Sequence, residues 1–336
     1  MSTMPQAIHL KLDTGIELPD EPSALRVGAS VWLPAQPAQA IALLVCLPGG
    51  NMNRRYYDLH PPIDSGGGDL PPGEGDDSFS FAAQMTTRGF IVAALDHLGL
   101  GDSSKPADGW ALTAELLTQA NAKATADLLT RLREGRLLEG LAALPALRSI
   151  GVGHSMGAML TILQQHAARQ HAAIVLLGFS TRGLPEYAPP GLKDAADPVA
   201  VRPQLVEYAR RMFGKPYPVI HSSGGSGNNA ELFGSKKADP RGVAALKAAT
   251  DCVLPVSAMM SMVPGNVAPE AATLDVPLFL GLGERDMVGP THQVPAAFPN
   301  CRDIVLHILP EAGHSHFLFP ARTALFDRLA VWGRGL

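Results

Sequence analysis

Seven residues, Gly151-Val152-Gly153-His154-Ser155-Met156-Gly157, constrain the fold of this 336-residue chain more than any other stretch. They close a short apolar run at 148–152 and open a segment with Met159, Ile162, Leu163 and His166 near helical spacing. A serine on so tight a strand-to-helix turn is forced outward, because a Cβ at Gly153 or Gly157 would collide with neighbouring backbone. The same turn puts the Met156 N–H at a helix start, where it faces any negative charge that develops beside Ser155.

Further strand-like runs lie at 26–33, 41–47, 90–95, 174–179, 276–282 and 303–309. They are continuously apolar and bounded by Gly, Pro and Asp, which suits strands buried on both faces of a parallel sheet. Helical spacing at 111–133 and 156–169 falls between them, so the chain reads as an α/β protein with a doubly wound, mostly parallel sheet. Hydrophobic residues make up 46% and charged residues 17%, a balance that supports a folded globular chain.

The residues from 184 to 274 separate two buried strands by more than a crossover needs. They are expected to form an inserted cap, dividing the chain into core 1–183, cap 184–274 and core 275–336. Within the insertion, 198–213 and 240–250 read as helices and 222–230 as a mobile loop. The apolar stretch 252–263 carries three methionines, which either line an adaptable pocket or fill the contact between cap and core. Residues 60–77, dense in Gly, Pro and Asp, read as an exposed acidic loop.

Charge and cysteine content exclude several classes. A formal net charge of −4 without a run of like charges gives no nucleic-acid stripe. Cys46, Cys252 and Cys301 are too few and too widely spaced for a disulfide framework or a zinc knuckle. No leader pattern and no apolar stretch of about 18 residues is present. The expectation is a cytoplasmic protein that acts on a small molecule and spans no membrane; its oligomeric state is left open.

A serine is a weak nucleophile unless a base lies within hydrogen-bond reach and a carboxylate holds that base in one tautomer. After the run at 276–282 comes Gly283-Glu284-Arg285-Asp286, and after the run at 303–309 comes Glu311-Ala312-Gly313-His314-Ser315-His316. With the 151–157 turn and the segment 90–104 (FIVAALDHLGLGDSS), these motifs resemble those of the α/β-hydrolase superfamily of serine hydrolases with an inserted cap, over nearly the whole chain. The resemblance implies Ser155 as nucleophile, His314 as base and Asp286 as its orienting acid, with Glu284 the weaker candidate. It gives Asp96 and His97 structural roles only.

The resemblance also implies an oxyanion hole built from the amides of Gly50 and Met156, with Asn51 as a neighbour. Here Pro48-Gly49 stands where many relatives have His-Gly, which leaves the amide donors intact. Arg54, Arg55, Tyr56 and Tyr57 read as the solvated start of a helix rather than as substrate contacts. His314 and His316 form a His-x-His pair without a third ligand spaced nearby, so neither a metal nor a cofactor is expected. Candidate substrate contacts, from position and composition, are His154, Tyr187, Met212, His221, Phe233, Met259 and Met260.

A serine at position 155 disfavours the carboxylate-nucleophile enzymes of this fold and points to acyl transfer, with ester hydrolysis of a small, largely apolar substrate as the default. Thioesterase, lactonase, amidase, carbon–carbon hydrolase and acyltransferase activities would use the same residues. A ligand-binding receptor that keeps the triad with little turnover is the alternative of another class.

Overall fold

The computed structural model describes residues 6–61, 76–219 and 237–336. Eight strands, β1 (Ile8–Ile16), β2 (Leu25–Trp32), β3 (Leu43–Leu47), β4 (Ile91–Leu95), β5 (Ser149–His154), β6 (Ala173–Leu177), β7 (Leu278–Gly283) and β8 (Ile304–Leu309), form one sheet in the order β1-β2-β4-β3-β5-β6-β7-β8. β1 pairs antiparallel with β2, and β2 antiparallel with β4; every later pairing is parallel.

Successive side chains of the central strands point to opposite faces. Leu43, Val45 and Leu47 enter one apolar core, whereas Leu44 and Cys46 enter another across the sheet. Helices α2 (Ala114–Arg133) and α3 (Met156–Ala168) cover the first face, and α1 (Phe81–Thr87) with the last helix, Arg322–Arg334, covers the second. Start signals match the helix ends: the Thr113 side chain accepts the Leu116 N–H at 3.3 Å, and the Ser80 side chain accepts the Ala83 N–H at 2.9 Å.

β1 was not among the strands expected from continuous apolar runs. Its sequence alternates, burying Leu12, Thr14 and Ile16 while Lys11 and Asp13 face solvent, as an edge strand covered on one side does. The expected helix at 198–213 starts late: a 3-10 turn at Arg202–Gln204 holds Pro203, and α5 runs only over Leu205–Phe213.

Between β6 and β7 the described residues form α4 (Pro190–Lys193), α5, α6 (Pro240–Ala249), α7 (Pro255–Met262) and α8 (Ala268–Ala271). α5, α7 and α8 join the core on the α2/α3 face, while Leu246 and Ala249 of α6 join the other core. The insertion has a tight neck. The Leu184 N–H donates to Met262 O at 2.9 Å and the Gly265 N–H to Thr181 O at 2.8 Å. A Cβ on Gly183 would fall 2.4 Å from Val263 O, so only glycine fits that crossing. Farther out, Asn53 N–H donates to Ala249 O and Asp251 N–H to Asn51 O, and Tyr217 donates its hydroxyl to Pro106 O at 2.7 Å.

The expected solvated helix start at 54–57 is instead a buried 3-10 turn, with Tyr56 and Tyr57 both fully covered. Arg54 explains why the turn is pulled in. Its guanidinium pairs with the buried Asp96 carboxylate and with Asp102, and its backbone N–H donates to Asp96 Oδ1 at 2.7 Å. Burial pushes the Asp96 carboxyl up and Arg54 pulls it back.

Arg54→Met strands that carboxylate in the core and should cost about 3 kcal/mol of unfolding free energy in urea titrations. Adding Asp96→Asn to the same protein should restore part of the loss, because no buried charge is then left unpaired and Asp102 is exposed to solvent.

Candidate active site

β5 ends at His154 and α3 begins at Met156, so Ser155 alone makes the turn, at φ 54° and ψ −122°. A positive φ at a residue with a Cβ is strained by roughly 1–3 kcal/mol and persists only where its surroundings hold it. Here the Ser155 N–H donates to Leu177 O at 2.9 Å, and Ser155 O accepts from Ala158 N–H at 2.9 Å. The flanking glycines are obligatory: a Cβ on Gly153 would lie 2.4 Å from Ala158 Cα, and one on Gly157 would lie 2.1 Å from Leu47 O.

His314 reaches this turn from the loop after β8. Its Nε2 accepts from Ser155 Oγ at 2.9 Å, and its Nδ1–H donates to Asp286 Oδ1 at 2.9 Å. A carboxylate only accepts, which fixes that tautomer. Gly178 makes room, since a Cβ there would stand 3.1 Å from His314 Nδ1 and 3.2 Å from Asp286 Oδ2. Burial alone would raise the Asp286 carboxyl, but the charge and hydrogen bond of His314, with help from His316, hold it well below the usual carboxylate range. Glu284 points elsewhere, accepting the Glu311 N–H at 2.8 Å.

Two buried histidines support the site from behind: His154, expected to contact substrate, and His97, expected to be structural. His154 is buried, stacks on Tyr56 with ring centroids 4.5 Å apart, and donates its Nε2–H to His314 O at 2.9 Å. Burial first, then His314 and His316, push its pKa well down, so the ring is a neutral strut and not a surface for substrate. His97 donates its Nε2–H to Pro48 O at 2.9 Å, anchoring the loop that carries Gly50. A Cβ on Gly49 would lie 3.1 Å from His154 Nδ1, and one on Gly50 would lie 3.8 Å from Met156, which sets Gly50 beside the start of α3. Asn51 contributes its carbonyl to the insertion.

A pocket of about 260 Å³, counting its open mouth, lies over Ser155 and His314. Phe179, Ser180, Leu184, Ser261 and Val288 wall it with Met156, and among the described residues no charged side chain lines it. Ser180 Oγ–H donates to Val288 O and Ser261 Oγ–H to Ala258 O, so both hydroxyls present only lone pairs to a guest.

The composition-based substrate contacts largely lie elsewhere. Met259 and Met260 are buried in the insertion's contact with the sheet core, Met212 is exposed, and Tyr187, half-buried, is not among the pocket walls. His221 and Phe233 lie outside the described residues, as do the loop at 222–230 and most of 60–77. The sequence signal for the actual walls was weak, because small residues at 178–184 and Ser261 carry no chemical signature. Among the described residues no group of three or more His, Cys, Asp or Glu is placed to hold a metal, and His316 turns to Asp286.

The family model described as "Alpha/beta hydrolase family" matches residues 44–324, and the chain belongs to that family. It is therefore placed among hydrolases as a class. No curated protein matches it in a sequence comparison. Solved structures share the fold at low identity. An esterase from Thermogutta terrifontis is 16% identical, covering 98% of this chain and 99% of its own, with a TM-score of 0.55. An esterase from Exiguobacterium antarcticum is 12% identical with a TM-score of 0.59, covering 97% of this chain and 100% of its own. A bromoperoxidase from Bacillus anthracis is also 12% identical, with a TM-score of 0.52 over 97% and 99% of the two chains. No helix among the described residues is long and apolar enough to cross a membrane.

The struts make stability depend on pH. Burial pushes His97 and His171 down to about 4, whereas an unfolded chain protonates histidine near 6.5. The unfolded state therefore binds more protons between those values. The contribution of each ring is complete above about pH 6.5 and is lost as pH falls toward 4, by roughly 3 kcal/mol per ring. Urea midpoints measured from pH 7 to pH 4 should fall accordingly, with a shallower slope in His97→Gln.

Proposed function

We propose that this chain is a serine esterase that cleaves small, uncharged esters through an acyl-serine intermediate. The observation that carries the reading is the unbroken hydrogen-bonded chain from Ser155 Oγ through His314 to the buried Asp286. Ser155 Oγ attacks the acyl carbon as His314 Nε2 takes its proton, and Asp286 stabilises the resulting imidazolium. The amides of Gly50 and Met156 receive the oxyanion. His314 then gives the proton to the leaving alcohol and deprotonates a water, which attacks the acyl-enzyme and releases the acid.

The pocket supports a short acyl group. The space over Ser155 is small, and among the described residues its walls offer no partner for a charge. The 184–274 insertion serves as its cap, through Leu184 and Ser261.

The purified protein should be labelled at Ser155 by a fluorophosphonate and should hydrolyse p-nitrophenyl acetate and butyrate well above the decanoate. Ser155→Ala should keep its fold and lose about a thousandfold or more in kcat. Asp286→Asn should be severely impaired and Glu284→Gln only mildly. Turnover in Ser155→Ala equal to that of the wild type removes the proposed nucleophile, and the reverse ranking of the carboxylates removes the proposed acid.

A further inference from the structure

We propose that His316 is a positioning residue that shares Asp286 with His314, an inference that rests on the esterase reading above. The two histidines stand two apart in one loop and take opposite oxygens of one carboxylate. His314 Nδ1–H donates to Oδ1 at 2.9 Å and His316 Nε2–H donates to Oδ2 at 3.1 Å. Both Asp286 and His316 have fully buried side chains. Among the described residues His316 is the sole donor to Oδ2, while Oδ1 also receives the Val288 N–H at 3.4 Å.

A buried carboxylate oxygen without a donor is costly, and a carboxylate held on one side only is free to turn about its χ2. His316 removes both problems. It fixes the plane of the carboxylate so that Oδ1 stays in line with His314 Nδ1, which in turn keeps Nε2 aimed at Ser155. It also takes up part of the anion's charge, so that Asp286 pulls less strongly on the His314 proton. His316 is itself held. Phe317 follows it in a stack with Tyr56, and the His154 ring meets it edge-on with centroids 5.9 Å apart. Of the other titratable groups, Asp286 accepts its Nε2–H, and His154 and His307 lie close enough to couple to it. Among the described residues its buried Nδ1 has no partner, which suits a bare nitrogen better than an N–H.

The test compares wild type, His316→Phe and His316→Gln with p-nitrophenyl acetate and a fluorophosphonate. Phenylalanine keeps the ring volume and removes the donor; glutamine restores an N–H. His316→Phe should lower kcat by about ten- to a hundredfold with KM within about twofold, since only the alignment of the base is affected. Fluorophosphonate labelling should slow by the same factor, and the acid limb of kcat/KM should move to higher pH as the freed carboxylate grips the His314 proton. His316→Gln should recover most of the rate. Wild-type kinetics in His316→Phe, or equal impairment in both variants, overturns the proposal while leaving the esterase reading intact. Wild-type protein that is neither labelled nor active overturns the esterase reading itself and this inference with it. Independently of whether the variants fold, ¹⁵N-histidine NMR of the wild type should find His316 in the Nε2–H form at neutral pH; the Nδ1–H form rules the proposal out.

Discussion

The Leu47 carbonyl occupies the space that any side chain at position 157 would need, and the rest of the site follows from that contact. With glycine there, the end of β3 lies against the first turn of α3. The Pro48–Asn51 loop then emerges beside Ser155, with Gly50 next to Met156. β3 and β5 are paired in register, Leu47 opposite Gly153, so the geometry belongs to the sheet and does not depend on a flexible loop. A strained Ser155 backbone is tolerated because the sheet and helix on either side of it leave no alternative path.

Around that point the protein uses imidazole rings as internal struts. His97 holds a carbonyl in the β3 loop, His154 holds the backbone of His314, and His316 holds a carboxylate oxygen. Each offers one N–H in a rigid ring at a place where a charged side chain would need a counter-ion. The fully buried Asp286 carboxylate is held on both of its oxygens by rings from its own site.

Most of the core was legible in the sequence because strands buried on both faces read as continuous apolar runs, and seven of the eight strands were found that way. β1 escaped because its alternation of Leu10, Leu12 and Thr14 with Lys11 and Asp13 is the signature of an edge, which is a different pattern. At the candidate site, Ser155, Asp286 and His314 were recognisable since each sits at a strand end next to glycines that the turn requires. The surroundings were not. His154 was read as a substrate contact and Tyr56 as part of a solvated helix start, although both are buried and stack on each other. Arg54 was misread for a related reason: only the fold brings it to Asp96, and local sequence cannot announce a pairing across that separation. The pocket walls were hidden because they are neutral residues whose role comes only from where the backbone places them.

The neck of the insertion has a consequence for how such chains diverge. Thr181 to Leu184 and Met262 to Gly265 are clasped by two backbone hydrogen bonds and a glycine crossing, at the exit from β6 and ahead of the adjacent strand β7. The core therefore meets the insertion across a gap that a few residues can bridge, whatever lies beyond it. Loop closure costs grow only slowly with length, so a change of length in the exposed parts of this segment leaves the clasp intact, while the buried faces of α5, α6 and α7 stay tied to the core. Such a chain can vary what stands above Ser155 while the floor beneath it is inherited unchanged.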